Sequence, residues 1–154
     1  MTNSSNTAQI AMQVARDMVV ASIQVDLTEG VLGRFKEDLL HRLHKSGSRG
    51  VILDVSGLET LDAAEFESLR RIITMIRVMG AETVLAGLRP GVVSALIETG
   101  VDTEGLRTAI DLDAAFGLLL QDTEPEVEAV DEEADGEEPA ESGANDSEGT
   151  GVRT

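Results

Sequence analysis

Apolar residues recur at every second position in some stretches of this 154-residue chain and at every third or fourth in others. The first rhythm builds half-buried strands, the second helices with one buried stripe. Ile10–Val14 is the first strand expected, Arg16-Asp17 a turn, and Met18–Leu27 a second strand with Val19, Ala21, Ile23 and Val25 on one face. Two strands joined by a short turn pair as a hairpin. Thr28 is placed to cap a helix reaching about Lys45, in which Leu32, Phe35, Leu39 and Leu43 form the buried stripe. Gly47 suits the left-handed residue that ends it.

Val51–Met79 organises the rest of the chain. Val51-Ile52-Leu53-Asp54-Val55 is apolar at four of five positions, as in a strand covered on both faces. Ser56-Gly57 breaks it, and after Asp62 the residues Phe66, Leu69, Ile73 and Ile76 take up helical spacing, widened by Ile72, Met75 and Met79. The breadth of that face suggests one side on the sheet and the other on a neighbour. Gly80 stops the helix. Glu82–Gly87 is the next strand. Pro90 stands at the first turn of a short helix whose expected buried side is Val93, Leu96 and Ile97, ending at Gly100. Leu106–Ile110 is a last short strand, and Asp111 or Asp113 caps a helix carrying Leu112, Ala115, Phe116 and Leu119. A hairpin followed by alternating units predicts an α/β fold with a mixed, mostly parallel sheet. In such sheets, a polar loop after a buried strand and before a helix is where function concentrates. Here that loop runs to Asp62 and Ala63.

Charge divides the chain. Up to Gln121 there are 11 basic and 16 acidic side chains, a net of −5; from Asp122 onward there are 13 acidic and one basic, a net of −12. The expected domain is therefore 9–121, with a flexible N-terminus at 1–8 and a disordered acidic tail at 122–154, because the tail lacks the apolar surface that would offset the entropy of ordering. Such a tail repels phosphates and anionic lipid, so neither nucleic acid nor a membrane is an expected partner. No run approaches the ~18 apolar residues of a membrane span, and Met1–Gln9 has no signal-peptide character. Together with the absence of cysteine, this points to a cytoplasmic protein.

Candidate chemistry is sparse. No nucleophile and base stand together, and no phosphate loop is present, so neither catalysis nor a cofactor is expected. His41 and His44, three apart on one helix, share a face without a third ligand nearby, so no metal site is expected. Asp54 is placed to bond nearby backbone, and Asp62 to accept the first amides of the following helix. Arg70, Arg71 and Arg77 read as a solvated face first and a contact face second, and Arg89-Pro90 as a turn first.

The segment VILDVSGLETLD, then a helix ending IRVMGAETVLAGLRPGVVSALIETGV, resembles the STAS domain of anti-sigma factor antagonists, within it the RsbS-like stressosome branch. The resemblance covers about Ala8–Leu120 and includes SIQVDL and FKEDLLHRLHKSG; the acidic tail lies outside it. It implies a β-β-α-β-α-β-α STAS fold and a non-catalytic scaffold or regulator in stress-response signal transduction. Its implied partners are a switch serine kinase or anti-sigma factor and sensor-bearing, RsbR-like STAS paralogues, in a homo- or hetero-oligomer. It also implies a phosphorylation switch at a Ser or Thr directly after the aspartate that starts the second helix, where phosphate adds a charge of about −2. Asp62 matches the aspartate, but Ala63 and Ala64 follow, and neither takes phosphate. The partner surface implied is Ser56, Thr60, Asp62, Ala63, Ala64, Phe66, Glu67 and Ser68, with Ser56, Thr60 and Ser68 as alternative acceptors. Three explanations stand open: an unswitched scaffold, a switch at another hydroxyl, or an alanine variant of a switched parent. Two further functions compete: a purely structural assembly subunit, and a module binding a small ligand such as a nucleotide.

Overall fold

Arg16 and Asp17 both adopt positive φ, 52° and 66°. That is the backbone of a two-residue turn whose twist matches the strands it joins. Aspartate tolerates this region; arginine does so less readily, and its guanidinium lies 4.9 Å from the centre of the Phe116 ring. The computed structural model describes residues 9–123, so the expected N-terminal segment 1–8 and the tail from residue 124 lie outside the described residues. The elements are β1 (Ala11–Ala15), β2 (Met18–Ser22), α1 (Glu29–Ser46), β3 (Gly50–Asp54), α2 (Ala63–Val78), β4 (Glu82–Ala86), α3 (Pro90–Glu98), β5 (Thr108–Ala109) and α4 (Leu112–Thr123). The strands form one sheet in the order β1-β2-β3-β4-β5. β1 is antiparallel to β2 and the remaining pairs are parallel, the mixed α/β sheet expected.

Alternation along the strands sorts two cores. Val19, Ala21, Val51, Leu53 and Leu85 face one way, against Leu39 of α1, Phe66 and Ile76 of α2, and Leu96 of α3. Met18, Val20, Ile52, Val84 and Ala86 face the other, against Ala115, Phe116 and Leu119 of α4. This is why β3 reads as a continuous apolar run: helices cover both its faces. The layers approach closely at Gly50, where a Cβ would stand 2.8 Å from Met18 Sδ and 3.0 Å from Leu119 Cδ1. Thr28 caps α1 through Val31 N, and Gly47 at φ 65° ends it.

Several elements differ from the sequence expectation. β2 ends at Ser22, because β1 begins and β3 ends at that level; Ile23 donates a last bond to the Asp54 carbonyl, and Ile23 and Leu27 are buried beyond the strand. On α3 the buried pair is Val92 and Leu96, while Val93 and Ile97 are 41% and 60% exposed. Two apolar i, i+4 pairs run along this helix, and periodicity cannot choose between them. β5 has two residues, pairing only with Leu85 and Ala86, which leaves Ile110 exposed. On α2, Ile72 is buried as expected, while Met75 and Met79 are 38% and 43% exposed. Asp111 is the residue that caps α4, accepting from Ala114 N at 2.9 Å. α4 continues to Thr123, so Asp122 and Thr123 belong to it and not to the tail; Asp122 pairs with Arg107.

Candidate functional site

β3 delivers the chain to a short loop at its carboxyl end, and local bonds set the loop's shape. Asp54 Oδ1 accepts from Ser56 N at 3.0 Å, the backbone role expected of it. Leu58 and Leu61 turn inward and are buried, which pins the loop at two points and leaves Ser56, Glu59 and Thr60 at the surface. Gly57 must be glycine: a Cβ there would lie 2.7 Å from Gln24 Cγ and 3.0 Å from the Ile23 carbonyl.

The loop then enters α2 through a reciprocal cap. Asp62, extended at φ −83° and ψ 170°, accepts from Glu65 N at 2.8 Å, and Glu65 Oε2 accepts from Asp62 N at 2.9 Å. Two otherwise unpaired amides are thereby satisfied, and both carboxylates sit at the positive end of the helix dipole. The expected role of Asp62 is met. Glu65 was missed, although the Asp-x-x-Glu spacing in the sequence signals it.

The neighbouring turn braces the same loop. Arg89 Nε donates to the Ser56 carbonyl at 2.9 Å, and its Nη1 lies 4.0 Å from Glu59 Oε1. Gly87, at φ 79°, packs against Ser56, where an added Cβ would come within 2.8 Å of Ser56 Cβ. The segment Gly87-Leu88-Arg89-Pro90 is therefore a support for the β3–α2 loop as well as a turn. Sequence reasoning read Arg89 as a turn residue first and a contact site second, without its partners, which are 30 and 33 residues away.

Most of the expected surface residues share this corner. Ser56, Thr60, Asp62 and Ala64 are exposed; Ala63, Glu67 and Ser68 are half-buried. Phe66 is a correction: it is 2% exposed and packs in the core beneath α2, because it continues the stripe of Leu69 and Ile73 instead of the outer row of Ala64 and Glu67. On the far flank of α2, Arg70 pairs with Asp102 at 2.7 Å and donates to its carbonyl, while Arg77 reaches the Gly105 carbonyl. These two arginines tie α2 to the loop before β5. The Asp102 carboxyl is held below its ordinary range, first by the Glu104 backbone amide and then by Arg70.

A cleft of about 250 Å³ beside the loop is lined by Gln24, Asp26, Gly57, Glu59, Thr60 and Glu65. Its three carboxylates oppose a phosphate-bearing ligand. His41 faces a groove between β1 and α1; among the described residues no three His, Cys, Asp or Glu side chains gather as metal ligands. Among the described residues, no helix is long and apolar enough to cross a membrane.

A five-stranded mixed sheet with helices on both faces and a capped helix end beside a braced loop defines the class: a small α/β domain with a reciprocally capped helix start at its surface. Residues 9–115 match the STAS domain model, and the chain belongs to the STAS domain family. A serine-to-glutamate variant of RsbS from Moorella thermoacetica superposes with a TM-score of 0.65 and 29% identity, covering 74% of this chain and 97% of that one. A chain from a structure of the stressosome, described as a signal integration and transduction hub, gives a TM-score of 0.63 at 28% identity, covering 75% of this chain and all of that one. The RsbT co-antagonist protein RsbRA of Bacillus subtilis is 25% identical over 99 residues, which are 64% of this chain and 36% of that protein. The chain thus matches about a third of the length of this relative.

Proposed function

We propose that the chain is a non-catalytic regulatory scaffold of a stressosome-type partner-switching system, an RsbS-like anti-sigma factor antagonist of the cytoplasm. Its partners are a switch serine kinase or anti-sigma factor and sensor-bearing, RsbR-like STAS paralogues. The docking surface is the β3–α2 loop and the first turns of α2: Ser56, Thr60, Asp62, Ala63, Ala64, Glu67 and Ser68. The observation that carries this reading is the helix start Asp62-Ala63-Ala64, capped and displayed at the surface of a core matched along its length by stressosome proteins. The Bacillus relatives are named co-antagonists of RsbT, which supports an antagonist role by analogy.

Ala63 occupies the position at which the resemblance implies a phosphoacceptor, and its methyl group cannot accept phosphate. The surface then stays in its unphosphorylated form, unless Ser56 or Thr60, both exposed, or the half-buried Ser68 takes over. The missing hydroxyl also favours a second reading, a structural assembly subunit without a signalling role. The carboxylates of the neighbouring cleft weigh against a nucleotide-binding module. The test is light scattering of the purified chain mixed with an RsbT-type kinase and an RsbR-type paralogue from the same genome. Complexes with both are expected. Binding of the paralogue alone supports the structural subunit, and binding of neither overturns the proposal.

A further inference from the structure

We propose that the outer edge of β1, with the groove between β1 and α1, is a docking site for an extended segment of a different protein, which adds to the sheet as a further strand antiparallel to β1. That segment carries an acidic side chain toward its N-terminal end, an apolar one at its centre and a basic one toward its C-terminal end. This stands independently of the role assigned to the β3–α2 loop.

β1 lies at the edge of the sheet. Sheet edges are usually blunted by charge, proline or a bulge. Ala-Met-Gln-Val-Ala carries no charge and no proline, and its pairing with β2 runs without interruption from Ala11 to Ala15. A two-residue turn joins the two strands, so Ala15 and Met18 exchange backbone bonds, as do Gln13 and Val20 further along the ladder. Met12 and Val14 therefore direct their amides and carbonyls away from β2. Arg42 Nη1 donates to the Met12 carbonyl at 3.3 Å from that outer side. The contact is exposed and long, and an incoming strand amide can replace it. Ile10, Met12 and Val14 line a groove of about 960 Å³ between β1 and α1, and Val14 is 48% exposed. An added strand bonds to such a backbone row and is selected by the side chains it sends into the groove, every second one.

Charge order selects the occupant. α1 connects two parallel strands and therefore runs antiparallel to them, in the same direction as β1. Asp38, His41, Arg42 and Lys45 line the groove from this helix, and Arg42 stands level with Met12. At a rise of ~1.5 Å per residue, Lys45 lies beyond Arg42, toward Val14, and Asp38 lies before it, toward Ile10. The groove thus has a basic end at Val14 and an acidic end at Ile10, with His41 near the middle. Antiparallel addition gives the more stable ladder, and an antiparallel strand meets Val14 first. Its side chain opposite Val14 faces Lys45, and Arg42 too once Arg42 leaves the Met12 carbonyl, so a carboxylate fits there. Opposite Met12 an apolar side chain fits. Opposite Ile10 the side chain reaches Asp38, so an ammonium group fits. A second copy of β1 cannot supply this pattern, since β1 carries no charge.

The probe is the end-capped peptide Thr-Glu-Thr-Val-Thr-Lys-Thr; the control exchanges its Glu and Lys and so keeps composition and net charge. Each is titrated to ~1 mM into the isotope-labelled full chain in ~0.15 M salt, and backbone amide resonances are followed. Saturable shifts are expected at Met12 and Val14. The control should bind about fivefold or more weakly, because both of its charges then meet like charges. The double variant Asp38→Lys/Lys45→Asp should reverse the preference between the two peptides, a result that loss of folding cannot produce. Val14→Pro removes an outward amide, a change edge strands tolerate, and should abolish the shift at Met12 while circular dichroism stays unchanged. No saturable shift at these amides, equal or stronger binding of the control, a preference unmoved by the double variant, or full binding by Val14→Pro would each overturn the proposal. Shifts of the same amides on concentrating the chain alone would assign the edge to a second copy and overturn it likewise.

Discussion

Asp62 and Glu65 hold each other's backbone amides at the start of α2, and this exchange sets the shape of the proposed docking surface. Asp62→Ala removes the acceptor and is expected to cost ~1 kcal/mol, read as a lower urea midpoint at unchanged slope. Glu65→Ala on top of it should cost less than it does alone, since the two share one network. Ala63→Ser places a hydroxyl at the first helical residue without disturbing either bond. If the surrounding surface still fits a cognate kinase, radiolabelled phosphate should enter the variant and not the parent; equal labelling would mean that the surface has diverged. Asp102 offers a pH test. Its carboxyl is held below the ordinary value of 3.8 by the Glu104 amide and Arg70, so the folded state favours the ionised form. That contribution is present above the ordinary carboxylate pKa and is lost as pH falls through the depressed one. Asp102→Asn should therefore lower Tm modestly at neutral pH, with the difference from the parent shrinking below about pH 4.

At the scale of elements, the β3–α2 loop depends on the turn between β4 and α3. Gly87→Ala requires a left-handed alanine and a 2.8 Å approach to Ser56 Cβ, so it should destabilise the fold by more than ~1 kcal/mol. Amide exchange at residues 55–61 should accelerate alongside. α4 is the principal cover of the second sheet face, and Phe116 is its largest buried side chain. Phe116→Ala should cost about 3–4 kcal/mol, by the loss of apolar burial and the cavity left behind, measured by chemical denaturation. The helices were legible in the sequence because each carries one unambiguous stripe or a capping residue. The buried side of α3 was not, because Val92/Leu96 and Val93/Ile97 are equally good stripes and only contact with the sheet selects the first pair. β2 was read too long for a related reason: alternation continues through Ile23 and Val25, but pairing stops where the neighbouring strands stop.

For the whole molecule, the charge is carried unevenly, and α4 runs two residues past the boundary that composition suggested. Cutting the chain after Thr123 keeps α4 and the Arg107–Asp122 pair. From its composition, removal of the remaining acidic stretch should move Tm by less than ~2 °C, as calorimetry would record.

The sequence by itself determined the element order, the mixed sheet, the double coverage of β3, the Asp62 cap and the resemblance to STAS proteins, because each of these is written in local periodicity, capping chemistry or motif. Tertiary structure alone decided that Arg89 braces Ser56 from 33 residues away, and that Asp38 and Lys45 line a groove beside β1. These depend on which elements lie side by side, and the spacing of residues along a chain does not contain that information.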